Sequence, residues 1–244
     1  MAQGQPGADS SRPVTASMIQ AATDLLGATP VFWGRYFTSV ATTGNVEYRH
    51  AIENPVLNGA GIQLLPVARQ TARVNGTAEH GLADGVANAK DFITTFGLDL
   101  LVAQGGQFYI FLDVEGTPTL SQDYYTGWVQ GLAQESAASG EGQVEILPCV
   151  YALQSDSTTW SAVSAAADSG VSCNGAWIAR YFTGKCEVGD WNDAVVTPKV
   201  PIPCPILAWQ YAGNCLDGAI DCSQTNPDID LQAQLLNFLV LPPA

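Results

Sequence analysis

The sequence predicts an α/β protein built as a (β/α)8 TIM barrel, with room for irregular or shortened strands. Three observations predict it. Apolar strand-like runs alternate with helical patterns along the chain, the order of a parallel sheet covered by helices. Roughly eight such units fit a chain of 244 residues, a length that suits a closed barrel. No G-x-G-x-x-G follows a strand and no Walker A motif is present, so an open doubly wound sheet lacks its usual signatures. No linker-like stretch divides the chain, and residues 1–244 are expected to form a single domain.

The elements are read in order from period and punctuation. A short first strand is expected at residues 6–9. Residues 13–26 carry Val14, Met18, Ala21, Ala22 and Leu25 at helical spacing, and Gly27 ends that helix. Residues 31–37 are aromatic and β-branched and read as a strand. Residues 47–57 hold a weak helical pattern interrupted by Pro55, and residues 61–68 a buried strand. Leu82, Val86, Ala89 and Phe92 share one face of a helix over 80–96. Residues 108–115 are the strongest strand signal in the chain. Helices over 123–138 and 160–167 alternate with strands over 144–152, 175–181 and 206–211. A proline-rich loop spans 197–205, a very short strand is expected at 219–221, and a helix over 231–241 closes the pattern.

Composition excludes several function classes. Hydrophobic residues make up 47% and charged residues 13%, the reverse of a disordered chain. Lys and Arg total 9 against 23 Asp and Glu, a net charge of −14. With no basic run, neither nucleic acid nor an anionic membrane surface is an expected partner. No apolar run reaches the roughly 20 residues of a membrane span, and the first residues do not resemble a signal peptide. All six cysteines (Cys149, Cys173, Cys186, Cys204, Cys215, Cys222) fall in the last 100 residues. They show no zinc-ligand spacing, and an even count in a loop-rich region suggests disulfides and an oxidising compartment. Their connectivity stays open, with Cys215–Cys222 a short local pairing to be tested. No metal or other cofactor is implied.

Barrel active sites gather at the C-terminal ends of strands. The polar residues expected there are Asp9, Arg35, Arg69, Asp113, Glu115, Tyr151, Arg180, Gln210 and Asp221. Asp113 and Glu115 are the sharpest pair. They follow five apolar residues, their i, i+2 spacing puts them on one face of a strand, and nothing about strand formation asks for two acids there. Close carboxylates repel, and a carboxyl kept protonated can serve as a general acid. Trp209, Gln210 and Tyr211 end another strand, with ring faces suited to sugars and an amide suited to hydroxyls. The arginines either pair with the acids or bind anionic substituents such as carboxylates. His50 and His80 accompany no nucleophile motif, and no G-x-S-x-G, H-E-x-x-H or S-x-x-K occurs. Asn75-Gly76-Thr77 is an N-glycosylation triplet.

Taken in order, these motifs resemble a known family. Gly7-Ala-Asp-Ser-Ser11 leads to a helix, and Trp33-Gly-Arg-Tyr36 lies on the second strand. Asp113-Val-Glu115, Trp177-Ile-Ala-Arg-Tyr181, Trp209-Gln-Tyr211 and Asp221 follow. The set is similar to family 25 glycoside hydrolases, the Chalaropsis-type lysozymes, and closer to related glycoside-hydrolase-like domains of unknown function. The resemblance runs from about residue 7 to residue 240. It implies Glu115 as general acid, with Asp113 orienting a 2-acetamido group or stabilising the charged intermediate. Asp9 and Asp221 would line the same acidic cleft. It further implies retention of configuration with substrate assistance, an exception to the two-carboxylate scheme. The implied substrate is an amino-sugar polymer such as peptidoglycan, met outside the cytoplasm. Fold does not fix function, and a non-catalytic carbohydrate-binding or cell-envelope protein on the same barrel is the alternative. A scaffold with a disused cleft is a third. Convergence of the four acids, with Glu115 clear of an arginine, separates the first reading from the others.

Overall fold

The computed structural model describes residues 2–37, 47–69, 72–181 and 185–244. Eight strands close into a barrel in sequence order: β1 (Pro6–Asp9), β2 (Phe32–Phe37), β3 (Gln63–Arg69), β4 (Gln107–Val114), β5 (Glu145–Leu153), β6 (Gly175–Ala179), β7 (Ile206–Asn214) and β8 (Ile220–Thr225). Neighbours from β1 to β7 pair in parallel. The outer layer holds α1 (Ala16–Leu26), α2 (His50–Ala60), α3 (Ala78–Phe96), α4 (Leu98–Ala103), α5 (Gln122–Ser139), α6 (Ser157–Asp168) and α7 (Asp193–Val196). Two one-turn segments follow, α8 (Cys215–Gly218), in which Leu216 and Asp217 have left-handed backbone angles, and α9 (Leu231–Gln234). The chain is a (β/α)8 TIM barrel. Among the described residues, no helix is long and apolar enough to cross a membrane.

Local chemistry explains most boundaries. Thr15, Thr77, Ser121 and Asp156 cap α1, α3, α5 and α6 by accepting from backbone N–H groups of the first turn. Gly27, with φ 77°, ends α1 in the left-handed conformation. Pro55 does not interrupt α2, which continues around it to Ala60.

Two elements depart from the pattern. The expected strand at 219–221 is six residues long and runs antiparallel to both β1 and β7. Its sequence, Ile-Asp-Cys-Ser-Gln-Thr, lacks apolar alternation because its buried polar groups are hydrogen-bonded. Ser223 accepts from Trp177 Nε1, Gln224 from the Gly4 N–H and Thr225 from the Gln5 N–H. The closing helix expected over 231–241 is only α9 and a 3-10 turn at Leu236–Phe238, because Leu235 leaves helical geometry (φ −132°, ψ −64°). Leu235 and Leu239 turn instead into the barrel interior among Phe32, Leu65, Phe111 and Trp177. Phe238 stacks on Tyr109 with ring centroids 4.6 Å apart, closing the end opposite the pocket described below.

The outer layer contains an unusually close helix pair. Gly81 and Gly85 on α3 face Gly127 and Gly131 on α5, each pair four residues apart and so on one helix face. A methyl group at any of these positions would overlap a backbone oxygen of the other helix: Tyr124 for Gly81, Trp128 for Gly85, Ala78 for Gly127 and Leu82 for Gly131. Nearby, Asp84 accepts from Arg73 and from the Tyr124 hydroxyl, and Trp128 donates to Asn88. Gly85→Ala is therefore expected to destabilise the protein by about 1–3 kcal/mol through overpacking. Gly59→Ala on α2, where an added methyl meets nothing within 4 Å, should stabilise it by roughly 1 kcal/mol or less from helix propensity. Thermal unfolding of the two variants checks this pair, and equal shifts would refute the close-packing account.

Candidate active site

At the C-terminal ends of the parallel strands, a pocket of about 390 Å3 opens to solvent. Its lining includes the expected Asp9, Arg69, Asp113, Glu115 and Asp221, together with Ser10, Ser11, Tyr36, Asn214 and residues 218–220. The barrel register builds this convergence. Asp9, the last residue of β1, is opposite Asp221 on β8 and Gly34 on β2. Asp113 on β4 lies between Arg69 on β3 and Tyr151 on β5. Glu115 is exposed one residue beyond the end of β4. Gly34 is needed for space, because a Cβ there would sit 2.7 Å from Asp9 Cβ.

A hydrogen-bond chain crosses the barrel from one acid to another. The Tyr151 hydroxyl lies 2.7 Å from Glu115 Oε1 and 2.6 Å from Gln210 Oε1, and can donate to either. Tyr181 donates to Gln210 Oε1, and Gln210 Nε2 donates to Asp9 Oδ2 at 2.8 Å. Asp221 Oδ1 accepts the Asn214 N–H at 2.6 Å. Among the described residues, no arginine pairs with Glu115.

The electrostatics follow from burying acids together. Burial, and then the charges of Asp221, Glu115 and Asp113, push the Asp9 carboxyl well above the usual carboxylate range, against the Gln210 hydrogen bond. Burial also raises Asp221, with the Asn214 N–H opposing it. Burial and the surrounding carboxylates raise the Tyr36 and Tyr151 phenols, which keeps both as donors.

A pH dependence follows. Asp9 and Asp221 bind protons more tightly in the folded chain than in the unfolded one. Their contribution to stability is full below the ordinary carboxylate pKa and is lost as pH rises through the raised values. Asp9→Asn is expected to raise Tm at neutral pH and flatten the fall in stability between mildly acidic and neutral pH. Unfolding curves at several pH values check it, and an unchanged slope would contradict it.

Several expected substrate contacts lie elsewhere. Arg35 is not in the cleft. It is fully buried, paired with Glu53 at 2.7 Å and donating to the Ser10 carbonyl at 2.6 Å. Trp209 and Tyr211 alternate with Gln210 and so face the outer layer. Trp209 packs near Trp191 and Tyr211 and donates to the Arg180 carbonyl. Gln210 and Tyr151 are buried beneath the pocket, where they support its acids. Arg180 is exposed past β6 and outside the pocket lining. Arg69 does line the pocket, with its guanidinium 5.7 Å from the centre of the Tyr36 ring. Tyr36 and Asn214 were not among the expected site residues. Tyr36 had a signal in its place near the end of a strand. Asn214 had none, because its role is played by its backbone N–H.

One wall of the pocket is held under constraint. Asn214, Leu216 and Asp217 all have positive φ (58°, 50° and 55°), which non-glycine residues rarely adopt. A disulfide joins Cys215 to Cys186. Cys222 is therefore not the partner of Cys215, and its thiol is free and buried.

No protein-family model matches the sequence, and no curated protein does. Solved structures do match in fold. An uncharacterized protein of B. stearothermophilus superposes with a TM-score of 0.68 at 20% identity, over 97% of this chain and 100% of that one. The Cpl-1 modular endolysin, solved as a Glu-to-Gln variant complexed with a peptidoglycan analogue, matches at TM-score 0.52 and 16% identity. That match covers 94% of this chain and 57% of that one. The chain shares its barrel fold with both proteins. A Tat-secreted protein of Mycobacterium tuberculosis, solved with L-tartrate, shares it at TM-score 0.53 and 16% identity, over 93% of this chain and 97% of that one.

Proposed function

We propose that this protein is a glycoside hydrolase of lysozyme type that cleaves amino-sugar linkages of a peptidoglycan-like polymer. The observation that carries the reading is the meeting of Asp9, Asp113, Glu115 and Asp221 in one open pocket at the active end of the barrel. The fold shared with an endolysin complexed with a peptidoglycan analogue supports it.

In this reading Glu115 is the general acid. Tyr151 holds Oε1 of its carboxyl, leaving Oε2 to carry the proton. The proton passes to the glycosidic oxygen as the bond to the anomeric carbon breaks. The substrate's own acetamido oxygen attacks that carbon from the opposite face, and Asp113 orients the acetamido N–H and offsets its developing charge. Water, deprotonated by the Glu115 carboxylate, then opens the cyclic intermediate with net retention. Asp9 and Asp221 bind sugar hydroxyls, with Asp9 positioned by Gln210. Residues 1–244 act as one domain. The protein works outside the cytoplasm, where a disulfide persists.

The test is digestion of purified peptidoglycan with mass spectrometry of the soluble products. Muropeptides with new reducing ends, retained in configuration at first appearance, are expected. Saturable glycan binding with no release at any pH from about 4 to 8 would replace the enzyme with a carbohydrate-binding protein.

A further inference from the structure

We propose that Cys173 and Cys204 form a second disulfide, which fastens the N-terminal ends of β6 and β7 as Cys186–Cys215 fastens their C-terminal side. The two Sγ atoms are 2.9 Å apart. Carbon atoms already rest at about 3.5–4.0 Å and sulfur is larger, so this is not an ordinary contact between unbonded atoms. It is a short movement from the ~2.05 Å of a disulfide bond.

The backbone holds the pair in place independently of the sulfurs. Cys173 lies two residues before β6, and Cys204 two residues before β7. The Ala176 N–H donates to the Pro205 carbonyl at 2.9 Å, and Ala176 is in register with Ile206. These two strands therefore start side by side, whatever the state of the thiols.

The position also meets a structural need. A parallel crossover is normally covered by a full helix. Between β6 and β7 the only helix among the described residues is α7, four residues long. Among its described residues only Trp191, Val196 and Pro198 are buried. The two cross-links, 173–204 and 186–215, overlap in sequence and enclose this stretch at both ends of the barrel. They supply by covalent constraint what a short helix cannot supply by packing.

The chemistry is a thiol–disulfide exchange. The Cys173 thiolate attacks an external disulfide oxidant and releases one of its sulfurs as a thiol. Cys204 then displaces the other, forming the Cys173–Cys204 bond. Two thiol protons and one electron pair leave the protein, and the oxidant ends as two thiols. Both cysteines are half-buried and within reach of an oxidant, whereas Cys149 and Cys222 are buried. The neighbouring Cys204 lowers the Cys173 pKa against the effect of burial, and the Tyr125 hydroxyl adds to it, which suits Cys173 to the first attack.

The experiment equilibrates the full chain with oxidised glutathione, denatures it without reductant, alkylates it and maps the peptides. Expected are a Cys173 peptide joined to the Cys204 peptide and alkylation confined to Cys149 and Cys222. Alkylation of both Cys173 and Cys204, or a Cys149–Cys173 link, overturns the proposal. Cys173→Ser and Cys204→Ser should each lower Tm by roughly 5–10 °C in oxidising buffer. That gap should close when wild type and variants are compared in reductant. A gap that persists there would mean the cysteines act by packing alone, and would also overturn it.

Discussion

Glu115→Gln is expected to lower the rate of glycan cleavage by about a hundred- to ten-thousand-fold while the protein stays folded and still binds its substrate. Gln fills the same volume, and its amide oxygen still accepts the Tyr151 hydroxyl that Oε1 now receives. What it loses is the ability to give a proton to the departing sugar oxygen. The loss belongs to the transition state, so kcat should fall with KM little changed. The defect should also depend on the leaving group. An aryl glycoside whose phenol departs without protonation should be cleaved by the variant far better than the natural linkage. Asp113→Asn should show the opposite pattern, slow with both substrates, because Asp113 is assigned to the acetamido group and not to the leaving oxygen. The measurement is steady-state kinetics of both variants on both substrates. Unchanged turnover in Glu115→Gln would remove Glu115 as the acid. Binding without turnover in the wild type would remove the enzyme.

The paired acids were legible because a strand has no reason of its own to end Phe-Leu-Asp-Val-Glu. The barrel was legible because six strands, β2 to β7, are apolar or aromatic enough to stand out between the helices. β8 was nearly illegible for the converse reason: Ser223, Gln224 and Thr225 are buried by hydrogen bonding, and such burial leaves no hydrophobic trace. The outward turn of Trp209 and Tyr211 follows from the two-residue period of a strand. If Gln210 faces the barrel interior, its neighbours must face out. Arg35 misled because a cation near the end of a strand looks like a ligand-binding group until its partner is known. That partner, Glu53, is on α2, 18 residues away, and nothing in the spacing links them. The glycines of α3 and α5 could have been read from sequence, since both pairs repeat at four residues.

That hidden pair gives the largest stability effect expected in the molecule. Arg35→Met should cost about 3–5 kcal/mol, the usual consequence of stranding a buried charge. Arg35 and Glu53 are both 0% exposed at the side chain, and their contact is bidentate, Nε to Oε2 at 2.7 Å and Nη2 to Oε1 at 3.0 Å. Glu53 also accepts the Val14 and Arg49 N–H groups, so without the arginine its charge would rest on backbone donors alone. For a chain of this size the loss corresponds to roughly 6–20 °C in Tm. The double variant Arg35→Met/Glu53→Leu should recover much of it by removing both charges. It should not recover all, because the Val14 N–H loses its buried acceptor. The pair also reaches the pocket. Arg35 Nη1 holds the Ser10 carbonyl, Trp33 Nε1 donates to Ser10 Oγ, and Ser10 lines the cleft beside Asp9. The double variant should therefore be folded yet impaired in glycan cleavage, with the Ser10 carbonyl no longer held by Arg35 while the Trp33 bond to its hydroxyl remains. A double-mutant cycle in denaturant, followed by activity assays well below Tm, measures both effects. A single-variant cost near 1 kcal/mol would mean that water reaches the pair, and full activity in the double variant would separate the buried ion pair from the site.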